Sequence, residues 1–374
     1  MTHLKKTILI LTAPFGAGHT SAAKAIKDLV LAEYPEYRIK IRNFISISVP
    51  KMNKPMISLY ENNTRYTPLI YNSYYYFRKN MDTKYDLAHM LYSPKITEYI
   101  LKIKPDIIIS TFPVACECIN DFKIKHPDNT TPVITVVTDV VNSKEWIHAN
   151  TDYYFVPSRE VKNRFMNKGI DPERIKVTGV PVDNRFFMDR KTASEYKYRI
   201  LVVGGGRGLF DVDESFMKWL DSFVGDYSTD IKITIVTGNN KKLYHYLTEK
   251  NPLSNIEVLG FVENMPDLVE NCDLMITKPG GATLFEAINS KTPVIVKYPK
   301  VGQEIENAKF IIDNGLGLVY KTEKELVGIM NDLVVGKIDS VFDYMERNLT
   351  FVRHTIYQDL IPNYINDILE DDWA

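Results

Sequence analysis

The sequence predicts an α/β fold built as two successive parallel-sheet domains. Three observations predict it. Apolar runs of strand length alternate with helical patterns through the first half, a second such series starts at Arg199, and several strands empty directly into glycine-bearing loops. The 374 residues suffice for two domains with full cores. Ligands of such sheets sit at the carboxyl ends of the strands, so a cleft between the domains is the expected site.

In the first half, Thr7 to Thr12, Ile39 to Ile45, Asp106 to Ser110 and Val133 to Val137 read as strands, and Ser21 to Glu33, Tyr85 to Lys102 and Arg159 to Asn167 as helices. Val177 to Val182 reads as the last strand and the exit from that domain. In the second series the strands are Ile200 to Val203, Ile231 to Val236, Ile256 to Leu259, Leu274 to Ile276 and Pro293 to Val296. The predicted division is 1–183 and 184–355, with a C-terminal helix at 356–374 returning to the first domain.

Composition narrows the class. With 45% hydrophobic and 25% charged residues the chain is globular, and no apolar run approaches the roughly 18 to 20 residues of a membrane span. The apolar run after Lys5 and Lys6 is too short for a signal peptide. Three cysteines, Cys116, Cys118 and Cys272, show no zinc-like pairing and fit a reduced, cytoplasmic setting. The net charge of −1 hides an asymmetry. Residues 1–182 carry 25 Lys+Arg against 17 Asp+Glu, a balance of +8, and the remainder has a balance of −9. A basic half suits an anionic surface, although compositional drift between domains gives the same split.

The loop Gly16-Ala17-Gly18-His19 follows the first strand. As a dinucleotide fingerprint it fails, because Ser21 stands where glycine or alanine is required and the second strand ends Ile41-Arg42-Asn43-Phe44 without a carboxylate. No Gly-Lys-Ser/Thr of a Walker loop is present. What remains is geometric. The glycines permit a sharp turn and close approach, and His19 starts a helix at a strand's carboxyl end. It is either a helix-terminal surface histidine or a general base.

In the second half, Gly204-Gly205-Gly206-Arg207 follows one strand, and Lys278-Pro279-Gly280-Gly281-Ala282-Thr283 joins another to a helix. Helix amino termini bind phosphate through free N–H groups and the helix dipole. Glu286 is placed to accept from a ribose diol, or else to form a capping box with Thr283. Gln303 and Glu304, read as a loop, offer an amide and a carboxylate to sugar hydroxyls, and Phe261 and Val262 offer an aromatic face and backbone groups to a base. Asp211-Val212-Asp213 has the look of a metal motif but reads better as an acidic helix start.

Taken in order, the Gly-x-Gly-His loop at 16–19, Pro105 to Pro113, Thr138-Asp139, Trp146 to His148, Asp152 to Ser158, Thr178 to Val182, Lys278 to Ala287 and Gly302-Gln303-Glu304-x-x-Asn307-Ala308 resemble the diacylglycerol glucosyltransferase and monogalactosyldiacylglycerol synthase family. These are relatives of the transferase that completes the peptidoglycan lipid precursor. Val301 departs from the family's usual proline, and Phe15-Gly16-Ala17-Gly18 from a three-glycine run. The resemblance implies the two-domain GT-B fold, with two Rossmann-like domains facing a cleft. It implies transfer of a hexose, with glucose the first choice, from a UDP-sugar to a lipid acceptor such as diacylglycerol, with inversion and a β-linked product. A UDP-N-acetylglucosamine 2-epimerase-like enzyme and a non-catalytic UDP-sugar-binding protein are the alternatives.

By the same resemblance, Phe261 and Val262 would hold the uracil, Glu286 the ribose, Gly281 to Thr283 the diphosphate, and Gln303 and Glu304 the hexose. Gly18, Gly206, Arg207, Lys278 and Gly280 complete the donor-binding set. His19 is the first choice of base and Asp139 the second, or the group that orients His19. No essential metal, no other cofactor and no nucleic-acid partner are expected. Tyr66, Tyr71, Tyr74, Tyr75, Tyr76, Phe77, Arg78 and Lys79 place aromatic rings beside cations, which suits the acceptor side and an anionic membrane surface. Some of those tyrosines would equally pack beneath a loop. The expected place of the protein is therefore cytoplasmic, on the inner face of the membrane as a peripheral enzyme.

Overall fold

The computed structural model describes residues 5–15, 17–50, 87–141, 143–187, 194–204, 220, 223, 230–250, 255–299 and 302–370. It contains two compact units, Met1–Asn184 with Val301–Gln303 and Thr355–Ala374, and Arg185–Lys300 with Glu304–His354. Each is organised on its own six-stranded sheet in which every pairing is parallel.

In the first unit the strands are β1 (Thr7–Thr12), β2 (Arg38–Asn43), β3 (Ile107–Ser110), β4 (Val133–Val136), β5 (Tyr153–Val156) and β6 (Ile175–Val177), in the spatial order β2-β1-β3-β4-β5-β6. Side chains alternate across a strand, so β1 feeds two cores. Ile8 and Ile10 pack with the Ala17–Glu33 helix and with Ile361, Ile365 and Leu369 of the C-terminal helix Ile361–Leu369. Leu9 and Leu11 face Ile96 and Ile100 of the Leu87–Ile103 helix and Ile119 and Phe122 of the Pro113–Lys125 helix. At about 1.5–3 kcal/mol per fully buried large apolar side chain, the C-terminal helix contributes substantially to this unit. Gln358, 1% exposed, fixes its approach by pairing with both the N–H (2.8 Å) and the carbonyl (2.7 Å) of Val182.

Strand positions are close to the sequence expectations, with instructive differences. The second strand stops at Asn43 rather than continuing to Ile45, because the Asn43 side chain accepts from Ile45 N–H and caps a short helix, Phe44–Ser48. The predicted strand Val177 to Val182 is β6 only as far as Val177. The strands Tyr153–Val156 and Gly317–Tyr320 and the helix Pro113–Lys125 have no counterpart among the expected elements. The last holds two cysteines, Glu117 and Asn120, which blur its apolar period.

In the second unit β7 (Tyr198–Val203), β8 (Ile231–Val236), β9 (Ile256–Leu259), β10 (Leu274–Thr277), β11 (Val294–Lys297) and β12 (Gly317–Tyr320) lie in the order β12-β11-β10-β7-β8-β9. This is a doubly wound sheet whose order reverses between β7 and β10, and in the first unit the reversal falls between β1 and β3. Parallel strands send all their outgoing loops to one edge. The loops after β1 and β3, and after β7 and β10, are therefore the positions where ligands of such sheets bind.

Candidate functional site

At the first reversal point the Ala17–Glu33 helix begins directly after the loop from β1, and His19 lies in its first turn. The side chain is buried. Nδ1 lies 2.8 Å from the carbonyl oxygen of Thr111, which follows β3, and 2.8 Å from Oγ1 of Thr138, which follows β4. A carbonyl only accepts, so Nδ1 carries the proton and Nε2 the lone pair. Thr111 also holds the backbone of His19, its hydroxyl donating to the His19 carbonyl at 3.0 Å while lying 2.8 Å from Oγ1 of Thr12.

Phe112 meets the imidazole edge-on with ring centres 5.0 Å apart, and the fully buried Trp146 lies 6.4 Å away. The indole N–H of Trp146 is buried with no hydrogen-bond partner among the described residues. Burial lowers the His19 pKa from 6.5 to about 4, opposed only in part by the Thr111 hydrogen bond. The imidazole is therefore neutral across the physiological range, and is not a solvated helix-end histidine.

Asp139, the second expected base, is half-exposed in the loop after β4, with its carbonyl accepting from Val141 N–H at 2.9 Å. Orientation of the His19 ring at Nδ1 comes from Thr111 and Thr138, two residues the sequence reading left without a role. Their only advance signal was membership of the segments Pro105 to Pro113 and Thr138-Asp139. Gly18 is the residue just before His19 in the same helix turn.

At the second reversal point β10 ends at Thr277, whose hydroxyl donates to the Val203 carbonyl at 2.8 Å and ties the ends of β10 and β7 together. The chain turns through Lys278, Pro279 and Gly280 and enters the Gly281–Asn289 helix. Gly280 is the N-cap, with extended backbone and no side-chain cap bond. The first-turn N–H groups of Gly281, Ala282 and Thr283 are thus left without the usual side-chain oxygen. The capping-box alternative fails, because Thr283 is the third helical residue and not the cap. Thr283 and Glu286 are three apart and half-exposed, and so share one helix face.

Gln303 and Glu304 are not in a loop but in the first turn of the Gly302–Asp313 helix, where a carboxylate complements the helix dipole. Glu304 Oε1 accepts from Lys278 Nζ at 2.8 Å. Buried Asn307, another residue given no role from sequence, donates from Nδ2 to the Pro279 carbonyl at 3.0 Å and fixes the turn. Phe261 follows β9 on the same edge and is 61% exposed, with Val262 half-buried beside it. β9 is three strands from β10, roughly 14 Å at about 4.8 Å per strand, the scale of an extended nucleoside diphosphate.

Gly206, Arg207, Asp211, Asp213 and the set Tyr66, Tyr71, Tyr74, Tyr75, Tyr76, Phe77, Arg78 and Lys79 lie outside the described residues. Among the described residues there is no group of three or more His, Cys, Asp and Glu side chains arranged to hold a metal, and no helix is long and apolar enough to cross a membrane. All three cysteines are buried and none is in a disulfide.

Comparison with known proteins adds sequence and fold relatives. Residues 19–182 match the family model for monogalactosyldiacylglycerol (MGDG) synthase, and residues 199–335 that for the glycosyltransferase family 28 C-terminal domain. A processive diacylglycerol beta-glucosyltransferase of Staphylococcus aureus (strain MRSA252) is 29% identical, covering 96% of this chain and 94% of the relative. Among solved structures, MurG of Acinetobacter baumannii superposes with a TM-score of 0.60 at 12% identity, covering 98% of this chain and all of that one. The UDP-GlcNAc 2-epimerase of Neisseria meningitidis bound to UDP-GlcNAc gives 0.58 at 14% identity, with the same coverage. At such identities the two structures speak for the fold alone, the GT-B arrangement of two α/β domains.

Proposed function

Because the chain belongs to the monogalactosyldiacylglycerol synthase and diacylglycerol glucosyltransferase family of glycosyltransferase family 28, and is a UDP-sugar hexosyltransferase, we propose that it moves glucose from UDP-glucose to the hydroxyl of a diacylglycerol, giving a β-linked glycolipid with inversion at the anomeric carbon. The observation that carries the donor half of this reading is the uncapped helix start at Gly280 to Thr283, set at the order reversal of the second sheet. In the proposed arrangement its N–H groups meet the diphosphate. Lys278 stands beside them, Phe261 and Val262 take the uracil, Glu286 the ribose, and Gln303 with Glu304 the hexose. Gly206 and Arg207 complete the proposed set.

The transfer is a single displacement. The acceptor oxygen forms a bond to the anomeric carbon as the bond to the diphosphate breaks, the electron pair leaves with UDP, and the acceptor proton passes to Nε2 of His19. A neutral imidazole with its proton fixed on Nδ1 is in the state such a base needs. Preorganised N–H donors meet the charge that develops on the leaving group, and no essential metal is proposed. Peripheral attachment to an anionic membrane from the cytoplasmic side is proposed on the excess of 25 Lys+Arg over 17 Asp+Glu in residues 1–182 and on the aromatic and basic residues 66–79.

The test is incubation with UDP-glucose, UDP-galactose and UDP-N-acetylglucosamine, each with and without diacylglycerol in detergent micelles and with and without EDTA, followed by mass analysis of the lipids. The expected product is hexosyl-diacylglycerol from UDP-glucose, insensitive to EDTA. Lipid-independent turnover of UDP-N-acetylglucosamine with no glycolipid would overturn the reading in favour of an epimerase.

A further inference from the structure

Three threonines stand at the carboxyl ends of three neighbouring strands: Thr12 closes β1, Thr111 follows β3 and Thr138 follows β4. All are buried, at 2%, 0% and 2% exposure, and all are bonded into one cluster around His19. Thr111 grips the histidine twice, its carbonyl taking the Nδ1 proton and its hydroxyl donating to the His19 carbonyl. Thr138 Oγ1 lies at the same Nδ1, also at 2.8 Å. With that proton already committed to a carbonyl, the threonine oxygen is a second acceptor for it.

A base that accepts a proton at Nε2 becomes an imidazolium whose Nδ1–H is more acidic, and hydrogen bonds from an ionised donor are roughly twice as strong as neutral ones. Many catalytic histidines meet that need with a carboxylate. Here the two acceptors are uncharged, and among the described residues no charged side chain contributes to the shift of this ring. The difference has a consequence for the reaction. A carboxylate at Nδ1 favours the imidazolium before substrate arrives, and a protonated histidine cannot act as a base. Neutral acceptors leave the resting imidazole unprotonated and strengthen only when the proton is transferred, which is where binding energy accelerates a reaction.

We propose that Thr138 is a positioning residue for the transfer, acting with the Thr111 carbonyl as an uncharged clamp that fixes the His19 tautomer and supports the imidazolium as it forms. This rests on the reading of His19 as the base. Phe112 and Trp146 flank the ring.

The test uses the full chain labelled with 15N-histidine, its His19 signals assigned by their loss in His19→Gln, together with Thr138→Val and Thr138→Ser. The expected wild-type spectrum at pH 7 shows neutral His19 protonated on Nδ1. Thr138→Val is expected to lower kcat ten-fold or more, with KM for UDP-glucose within about twofold, and Thr138→Ser to return kcat to within about threefold of wild type. Wild-type kcat in Thr138→Val overturns the proposal. So does equal loss in the valine and serine variants, which would mean that side-chain shape rather than the hydroxyl matters. The wild-type spectrum provides a check that needs no folded variant, because a His19 protonated on Nε2 rules the clamp out. Wild-type turnover in His19→Gln would instead remove the base reading, and leave the tautomer to judge the clamp alone.

Discussion

The two glycine loops begin alike, and the proposed function gives them opposite chemistry. Each follows a strand beside the order reversal of a parallel sheet, and each opens a helix. In the first unit the first turn of the helix carries His19, buried and tied through Nδ1 to Thr111 and Thr138. In the second the N-cap is Gly280, no side chain caps the helix, and a Cβ placed on Gly280 would meet nothing within 4 Å. In the proposed reading, glycines at such a position do not by themselves make a nucleotide site. What differs in that reading is the chemistry each helix start presents: an uncapped set of N–H groups in the second unit and a buried, oriented imidazole in the first.

That contrast can be broken most directly at His19. His19→Gln keeps a polar side chain at the site but removes the proton acceptor. Steady-state assay with UDP-glucose and diacylglycerol is expected to show kcat lower by about 10²- to 10⁴-fold. Turnover within threefold of wild type would reduce the first loop to a structural helix start.

The next effect concerns pH. Because the folded pKa of His19 is about 4 and the unfolded one 6.5, the unfolded chain binds this proton more readily between those values. Stability supplied by this histidine is therefore fully present above pH 6.5 and is lost as pH falls towards 4, by up to about 3 kcal/mol. Urea titrations from pH 7.5 to pH 4.5 should show that decline in the wild type and a shallower one in His19→Gln. Parallel slopes would contradict the buried neutral state.

The smallest effect is expected at the Lys278–Glu304 pair, whose side chains are 36% and 22% exposed. Such a partly exposed pair is worth less than about 1 kcal/mol to folding. Lys278→Met should leave the thermal midpoint nearly unchanged and raise KM for UDP-glucose several-fold. A large fall in the midpoint with unchanged KM would make the pair a structural brace.

Most of the strand framework was readable from apolar runs of four to six residues, because the strands of a doubly covered parallel sheet are buried on both faces. Ile107, Ile108 and Ile109, and Val294, Ile295 and Val296, are all buried and announce themselves. Helix Pro113–Lys125 did not, since buried Cys116, Glu117 and Cys118 interrupt its apolar face. The site divided in the same way. His19 and Gly280–Thr283 stood out because glycine followed by a helix start has a local signature. Thr111, Thr138 and Asn307 did not, because their roles depend on partners 92, 119 and 28 residues away. No local pattern encodes a contact of that range. Glu304 was singled out for its chemistry, while its bond to Lys278 appears only when β10 and the Gly302–Asp313 helix are brought together.

The division of labour between the two loops is tested most directly by calorimetric titration of UDP into His19→Gln and Gly280→Asp. The aspartate fits the open space at Gly280 and would cap the helix while placing a negative charge where the diphosphate is proposed to bind, at a cost or gain to folding of only a few tenths of a kcal/mol. UDP is expected to bind His19→Gln with the wild-type Kd, and Gly280→Asp at least ten-fold more weakly. The reverse result, with binding lost in His19→Gln and kept in Gly280→Asp, would place the nucleotide at the first loop and contradict the account.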